Sequence, residues 1–247
     1  MTAARKTLIL ASASPRRQEL ISLFNLPVKI QPSDVDENVP PGTSPGDMVE
    51  QLALRKALAV QKRCREEGTD GIVVGSDTIV VLDGRILGKP QGRTDAVRML
   101  RTLQGSVHEV YTGLSCIDTA WSVKTEHIDR VEERLSRSGG SRSLSFGQTG
   151  RIRILDESDG GNPLAALGHT VSRVTFRPMK EDEIEAYVRS GEPLDKAGAY
   201  GIQGLGSFFV ERIEGDYYSI MGLPVSLLYG ILQTFGLNPL QQHAADY

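Results

Sequence analysis

Apolar and polar positions in the first third of the chain alternate between strand-like and helix-like spacing. An apolar run at residues 8–11 predicts a short buried strand. A helix is predicted to follow it, because Ser14 is a suitable N-cap and Pro15 suits the first helical turn. A second, longer helix is predicted from Ser44 to about residue 67, where apolar side chains recur at helical spacing.

The next stretch predicts strands that alternate with a helix. Residues 71–82 are rich in β-branched side chains and predict a strand, and Asp83-Gly84 supplies a hairpin signal directly after it. A helix is predicted at residues 94–103 and a further strand at 108–117. This alternation indicates an α/β protein.

The last third of the chain continues the same pattern. Residues 170–176 alternate like a strand and are predicted to pair back towards the strand that ends near residue 117. A helix is predicted at 180–190, a strand at 208–213 and a closing helix at 222–232. Between them, residues 193–206 form a glycine-rich loop that carries Asp195, Lys196 and Gln203.

The segment from about 120 to 169 departs from this pattern. It is rich in serine, arginine, glycine and acidic residues, and its periodicity is weak. We therefore expect a long, loop-rich insertion, with at most a short amphipathic piece around residues 128–135. Its arginines suggest nucleotide or nucleic-acid contacts as an alternative, but a solvated insertion is favoured.

Composition narrows the classes of function. The chain has 247 residues and a formal net charge of −3, which argues against a general nucleic-acid binder. Its two cysteines are far apart, so neither a disulfide framework nor a zinc site is indicated. The first apolar run is too short for a signal peptide, and no stretch is long enough to span a membrane. We expect a cytoplasmic protein.

The predicted first helix begins with an unusual charge arrangement. Arg16 and Arg17 occupy its first turn, where the positive end of the helix dipole normally favours acidic residues. The exposed N–H groups of that turn also bind anions. A phosphate would satisfy both features, whereas an ordinary pair of solvated arginines remains the alternative.

Two further charged residues occupy positions where apolar side chains are expected. Lys56 falls in the apolar stripe of the second helix, so it reaches into a cleft or else snorkels along the edge of the stripe. Asp77 interrupts a strand that otherwise reads as buried, so it requires a cation, a metal or hydrogen-bond donors, and Lys89 is one candidate partner.

Together these residues suit a nucleoside triphosphate. Arg16, Arg17, Lys56 and Lys89 could balance its negative charges, usually with the help of a divalent cation. Asp77 could bind that metal or accept a proton from the attacking water, and Glu37 is a second candidate ligand. The chain contains no Walker A loop, no dinucleotide-binding glycine motif, no His-Glu-x-x-His and no nucleophile elbow.

Six motifs, in sequence order, resemble the Maf family. They cover residues 7–118 and 170–236, which is most of the chain. They are Ser12-x-Ser14-Pro-Arg-Arg17, Lys56, Gly75-Ser-Asp-Thr78, Gly88-Lys-Pro90, His108-x-Val-x-Thr-Gly113 and Asp195-Lys-Ala-Gly-Ala-Tyr-Gly-Ile-Gln-Gly204.

The resemblance implies a fold and an activity. The expected fold is an elongated mixed sheet flanked by helices, with two lobes and a central cleft, as in inosine triphosphate pyrophosphatases. The implied activity is cleavage of a nucleoside triphosphate between its α and β phosphates with Mg²⁺ or Mn²⁺, giving the monophosphate and pyrophosphate. We expect one domain over residues 1–247, with an insertion at about 120–169 that family members typically lack.

The resemblance also implies a subtype and individual roles. Arg16, Thr78 and Gln203 match family members that prefer dTTP and UTP, with modified pyrimidine nucleotides as further candidates. The side chain of Gln203 carries both a donor and an acceptor, which suits the O4 and N3–H edge of thymine or uracil. Ser12 and Ser14 are expected to help the four cations bind the phosphates. Asp77 would act as base or metal ligand, and Glu37 as a second ligand.

Two other functions remain open at this stage. The family's association with septum formation suggests a nucleotide-binding regulator of cell division that has no physiological turnover. Nucleic-acid binding through the arginine-rich segment is the less favoured possibility. A homodimer is a reasonable expectation from the resemblance.

Overall fold

The strands of the computed structural model form one mixed sheet. The structure describes residues 6–121, 142–146 and 150–244. The strands are β1 (Leu8–Leu10), β2 (Val28–Ile30), β3 (Ile72–Leu82), β4 (Arg85–Leu87), β5 (Val107–Asp118), β6 (Arg142–Phe146), β7 (Gly150–Glu157), β8 (Pro163–Phe176) and β9 (Val210–Glu214).

Helices cover both faces of this sheet. They are α1 (Pro15–Ser22), α2 (Pro45–Glu66), α3 (Arg93–Leu103), α4 (Glu181–Arg189), α5 (Tyr217–Met221), α6 (Val225–Thr234) and α7 (Pro239–Ala244). Three short 3₁₀ turns lie between α4 and β9. The expected α/β class, a mixed sheet flanked by helices, is confirmed.

The strand order leaves an opening at one edge of β3. The main path runs β2-β1-β3-β5-β8-β7-β6, with β4 paired to β3 and β9 paired to β8. The strand β1 pairs with β3 only along residues 72–74, and β4 pairs with the same strand only along residues 80–82. Among the described strands, none therefore pairs with residues 75–79 on that edge, although β5 pairs with all of them on the other.

The helix α2 packs unusually close to the sheet. A Cβ at Gly75 would lie 2.1 Å from the carbonyl oxygen of Ala53, and one at Gly113 would lie 2.1 Å from that of Val49. Only glycine permits this approach, because a real Cβ never comes so near a backbone oxygen. The two glycines of β3 and β5 thus set the distance between α2 and the strand that carries Asp77.

The alternating side chains of β1 and β3 contribute to two apolar cores. On the α2 face, Ile9 and Val73 pack with buried side chains of the helix. On the opposite face, Leu8 and Val74 belong to a larger core that includes side chains of α1, α3, α4 and α6. The sheet is therefore covered on both sides at its centre, as expected for an α/β fold.

Several local predictions are confirmed. Ser44 caps α2 by accepting a hydrogen bond from the backbone N–H of Asp47 at 3.2 Å. Asp83 and Gly84 both have positive φ, 49° and 74°, as a type I′ hairpin turn requires. Residues 170–176 pair with β5, although the strand begins earlier than predicted, at Pro163. The short helix α5 was not predicted.

The prediction of a loop-rich segment at 120–169 is wrong for much of its described part. The strands β6 and β7 form an antiparallel pair, and β7 pairs with the early part of β8. Ile152 and Ile154 are buried in the larger core, so β7 is an integral part of the sheet. The amphipathic piece suggested at 128–135 lies outside the described residues.

Among the residues that the structure describes, no helix combines the length and apolarity needed to cross a bilayer.

Candidate active site

A cavity of about 630 Å³ opens at the unpaired edge of β3. The loop between β1 and α1, the middle of α2, the centre of β3 and the glycine-rich loop all line it. The sequence-predicted residues on its wall are Ser12, Ser14, Arg16, Arg17, Glu37, Lys56, Asp77, Thr78 and Lys89. A gap between strands at one sheet edge thus brings together residues from distant parts of the sequence.

Lys56 is the direct partner of Asp77. Its Nζ lies 2.6 Å from Asp77 Oδ1 and 2.7 Å from Glu37 Oε1, so one ammonium bridges two carboxylates. The hydrogen bond to Lys56 is the largest cause that lowers the pKa of Glu37. The suggestion that Lys89 pairs with Asp77 is wrong, because α2 brings Lys56 to the carboxylate first.

Asp77 retains one available oxygen. The residue is 8% exposed, and Lys56 holds its Oδ1. No side chain of the described residues donates a hydrogen bond to its Oδ2. Because the carboxylate lies in the wall of the cavity, this oxygen can accept a hydrogen bond from a water there.

Arg17 donates most of its hydrogen bonds to the protein itself. Its Nε donates to the carbonyl oxygen of Gly222 at 2.7 Å, and its Nη1 donates to that of Ser76 at 2.9 Å. Its Nη2 lies 3.2 Å from Thr78 Oγ1, and Nη1 is also 3.4 Å from Ser12 Oγ. Burial lowers the pKa of Arg17, an effect that the nearby Asp77 carboxylate opposes.

Arg16 and Lys89 are arranged differently. Within the described part of the chain, neither side chain has a hydrogen bond or an ion pair, although both line the cavity. The hydrogen bond from Lys196 is the largest cause that lowers the pKa of Asp195 in the glycine-rich loop, and the charge of Arg16 contributes to the same effect. The four predicted cations therefore divide into two held by protein groups, Arg17 and Lys56, and two that are available to a ligand.

The start of α1 offers further donors to the cavity. Ser14 occupies the N-cap position, but its side chain makes no capping hydrogen bond. Its hydroxyl and the first N–H groups of the helix are consequently available to an anion in the cavity. Ser12 Oγ is 3.2 Å from the N–H of Ser14 and so helps to shape this turn.

The glycine-rich loop contributes other residues than the one predicted from its motif. Asp195, Lys196 and Tyr200 line the cavity, whereas Gln203, which follows the lining residue Ile202 in the chain, is not among the residues of its wall. Sequence reasoning also missed the residue that holds the loop. The carboxylate of Glu192 accepts the backbone N–H of Leu205 at 2.9 Å and of Gly206 at 3.1 Å.

The carboxylate oxygens of the site suit a divalent cation that binds together with a phosphorylated ligand. Among the described residues, no group of three or more His, Cys, Asp or Glu side chains could hold a metal. Glu37 Oε1 and Asp77 Oδ1 nevertheless approach the same Lys56 ammonium from two sides. Mg²⁺ is commonly bound by one or two carboxylates together with substrate phosphates and water, so this pair fits such an ion.

The mixed sheet and its cation-lined cavity, built around a buried aspartate, define an α/β protein suited to a polyphosphate ligand. Comparison with known proteins specifies the family. The model of the Maf-like protein family matches residues 7–138 and 150–235. The chain belongs to this family.

Curated relatives are similar over nearly the full chain. A dTTP/UTP pyrophosphatase from Desulforamulus reducens is 42% identical over 233 residues, which cover 94% of this chain and 98% of the relative. A protein of the same name from Bacillus anthracis is 40% identical, with 94% of this chain and 97% of the relative covered. A third dTTP/UTP pyrophosphatase, from Bacillus cereus, is also 40% identical, with 92% of the relative covered.

Proposed function

We propose that this protein hydrolyses dTTP and UTP to the corresponding monophosphate and pyrophosphate. The names of relatives that are 40–42% identical over almost the whole chain support this activity. The observation that carries it is the buried Asp77, which keeps one oxygen available in a cavity lined by cations. A buried carboxylate in such a cleft is a candidate catalytic group.

Asp77 acts as the general base in this proposal. It accepts a proton from the water that attacks the α-phosphorus, and the bond between that phosphorus and the bridging oxygen breaks to release pyrophosphate. Lys56 orients the carboxylate through its hydrogen bond to Oδ1. Arg16 and Lys89 bind the triphosphate with Ser14, because their donors have no partners among the described protein groups.

A divalent cation, Mg²⁺ or Mn²⁺, completes the proposed site. Asp77 and Glu37 would hold it, and when bound it would neutralise charge on the phosphates. The ammonium of Lys56 bridges these two carboxylates and so offsets their mutual repulsion.

We assign base selection to the glycine-rich loop, residues 193–206, part of which lines the cavity. Gln203 can present a donor and an acceptor to the O4 and N3–H edge of thymine or uracil, and the same edge is present in modified pyrimidine nucleotides. Arg16 of α1 lines the same cavity as residues of this loop. The hydroxyl of Thr78 has partners within the protein, so this residue acts by shaping the wall of the cavity rather than by hydrogen bonding to the base.

The test is pyrophosphate release from dTTP, UTP, CTP, dATP, GTP and 7-methyl-GTP, with Mg²⁺, with Mn²⁺ and with chelator. Wild type should release pyrophosphate from dTTP and UTP only when metal is present. Asp77→Asn should lower kcat by on the order of 10³-fold or more, because the amide cannot accept the proton. Asp159→Asn removes an exposed carboxylate instead and is the matched control.

Other outcomes would redirect the proposal. Near-normal turnover by Asp77→Asn would exclude this residue as the base. No release by a folded wild-type protein that still binds nucleotide would favour a nucleotide-binding regulator.

Homodimerisation, the absence of nucleic-acid binding and a single domain over residues 1–247 remain predictions from the sequence.

A further inference from the structure

The side chain of Arg17 occupies the place of a missing strand beside β3. The N–H and C=O of one strand residue point towards the same edge, and this edge alternates along the strand. On the open edge of β3, the carbonyl of Val74 accepts the N–H of Ala11 at 2.9 Å, and Val80 pairs with Leu87 of β4. Between them, the carbonyl of Ser76 accepts its hydrogen bond from Arg17 Nη1.

The guanidinium of Arg17 also holds Thr78, the residue that follows Asp77 in β3. Thr112 Oγ1 donates to the carbonyl of Ser219 at 2.7 Å, which uses its only hydrogen. Thr78, 3.0 Å from Thr112 Oγ1, must therefore donate to it and can accept from Arg17 Nη2. The donor and the acceptor of each hydrogen bond are thus fixed along the series from Arg17 through Thr78 and Thr112 to Ser219.

A third contact of Arg17 holds the turn at Gly222 next to β3. Arg17 Nε donates to the carbonyl of Gly222, and Ser76 Oγ lies 2.8 Å from the same oxygen. Gly222 has φ 113°, and a Cβ there would lie 3.1 Å from Arg17 Nε. The turn that ends α5 is therefore shaped to fit against the guanidinium.

These contacts leave little of Arg17 for a substrate. A guanidinium has five N–H donors, and protein atoms lie within hydrogen-bond distance of four of them. A phosphate could take one donor without breaking the network. In contrast, Arg16 and Lys89 have no such partners within the described residues.

We propose that Arg17 is a positioning residue, which fixes Ser76 and Thr78 on the two sides of Asp77 and thereby sets the orientation of that carboxylate. It does not serve primarily as a ligand of the triphosphate. This inference rests on the proposed function, because it assigns Asp77 the role of base. It differs from the expectation that all four cations bind phosphate directly.

Steady-state kinetics with dTTP and Mg²⁺ distinguish the two roles. In Arg17→Lys the charge remains but the fork of donors is lost. Thr78→Val removes the acceptor of Nη2, and Thr78→Ser retains it. Lys89→Ala provides the comparison for a true phosphate ligand, and Arg65→Lys, on an exposed position of α2, is the control for the substitution itself.

A positioning role predicts a loss in kcat rather than in binding. Arg17→Lys and Thr78→Val should each lower kcat by on the order of 10²-fold, with KM and the affinity for an α,β-methylene analogue of dTTP changed less than about threefold. Thr78→Ser should stay within about threefold of wild type. The double variant Arg17→Lys/Thr78→Val should lose little more than either single variant, because both break one network.

The opposite pattern would overturn the inference. If Arg17→Lys kept its kcat and raised KM about tenfold or more, as expected for Lys89→Ala, Arg17 would be a phosphate ligand. Additive losses in the double variant would also contradict a shared network. If Arg17→Lys does not fold, the two Thr78 variants still decide the question. Absence of turnover in wild type and in Arg65→Lys would instead reject the proposed function.

Discussion

At the scale of single residues, Lys56 controls the ionisation of Glu37, one of the two carboxylates that its ammonium bridges. Its hydrogen bond is the largest cause that lowers the pKa of Glu37. In Lys56→Met the pKa of Glu37 should therefore rise, and the carboxylate should become protonated at a higher pH than in wild type. We expect kcat/KM for dTTP to fall by on the order of 10²-fold at neutral pH.

The pH dependence makes this prediction specific. The acidic limb of the kcat/KM profile should move to higher pH in Lys56→Met, at a constant concentration of free Mg²⁺. Lys62→Met, an exposed position of the same helix, should leave the profile unchanged. An acidic limb that stays in place in Lys56→Met would show that Lys56 does not control the ionisation that matters for catalysis.

A second residue, His108, links protein stability to pH. It is 1% exposed, its Nε2 lies 2.8 Å from the Tyr200 hydroxyl, and burial lowers its pKa to about 4. The unfolded chain has the ordinary histidine value of about 6.5, so below that pH it binds a proton that the folded protein does not. The free energy of unfolding should decrease as the pH falls from 6.5 towards 4.

This loss should be measurable by urea unfolding. Between pH 7 and pH 5, His108 should account for a decrease of about 2 kcal/mol in the free energy of unfolding. His108→Gln keeps a polar side chain of similar length but does not titrate, so its stability should change less across the same range. Equal pH dependence in both proteins would mean that His108 is protonated in the folded state or partly exposed.

The residues also show which parts of the site the sequence could predict. Lys56 was identifiable because it interrupts the apolar stripe of a helix, and Asp77 because it interrupts a buried strand. The role of Arg17 could not be foreseen, because its partner Gly222 is separated from it by 205 positions in the chain. The choice between Lys56 and Lys89 as partner of Asp77 likewise depended on how closely α2 packs on the sheet.

At the scale of secondary-structure elements, the close contact between α2 and the sheet determines whether Lys56 can reach Asp77. Gly75 and Asp77 lie on the same face of β3, since side chains alternate along a strand. The contact at Gly75 involves Ala53 and Ala57, which flank Lys56 along the helix. A side chain at residue 75 would therefore push Lys56 away from Asp77.

Gly75→Ala should affect both stability and turnover. The added methyl group would overlap the carbonyl of Ala53, so we expect a loss of at least 1–3 kcal/mol in the free energy of unfolding, as is typical of overpacking. We also expect kcat to fall by on the order of tenfold or more because the ion pair is stretched. Gly160→Ala is the control, because its nearest atoms lie at an ordinary 3.9 Å. A fully active and stable Gly75→Ala protein would contradict the proposed spacing.

The strand pair β6 and β7 shows where prediction from composition failed. The run Arg151-Ile-Arg-Ile154 alternates as a strand should, but the surrounding serines, glycines and charges obscured it. The structure explains the charge of Arg153 on one face of β7. Arg153 and His169 both pair with Glu50 of α2, which is buried. A charged side chain in this segment is thus a contact with α2 rather than a sign of a solvated loop.

At the scale of the whole molecule, the cavity depends on elements from most of the chain. Its lining comes from residues between Ala11 and Val110 and from residues between Asp195 and Gly222, two parts of the sequence that are far apart in the chain. The α/β class could be predicted from alternating periodicity, because that pattern is local. The gap in the sheet that creates the cavity could not, because it depends on where β1 stops and β4 begins against the same edge of β3.

A ligand that bridges such distant elements should stabilise the entire fold. Only the folded protein brings the lining together, so binding raises the free energy of unfolding by about 2.7 kcal/mol when the ligand is at 100 times its Kd. For a protein of this size, this corresponds to an increase of about 5–10 °C in Tm.

The measurement is thermal unfolding with the α,β-methylene analogue of dTTP and Mg²⁺, after the Kd has been determined by calorimetry. Chelator should abolish most of the shift, and the corresponding GTP analogue at the same concentration should give a much smaller one. Equal shifts with both analogues would show that the cavity binds triphosphates without reading the base, and would move base selection from binding to the catalytic step.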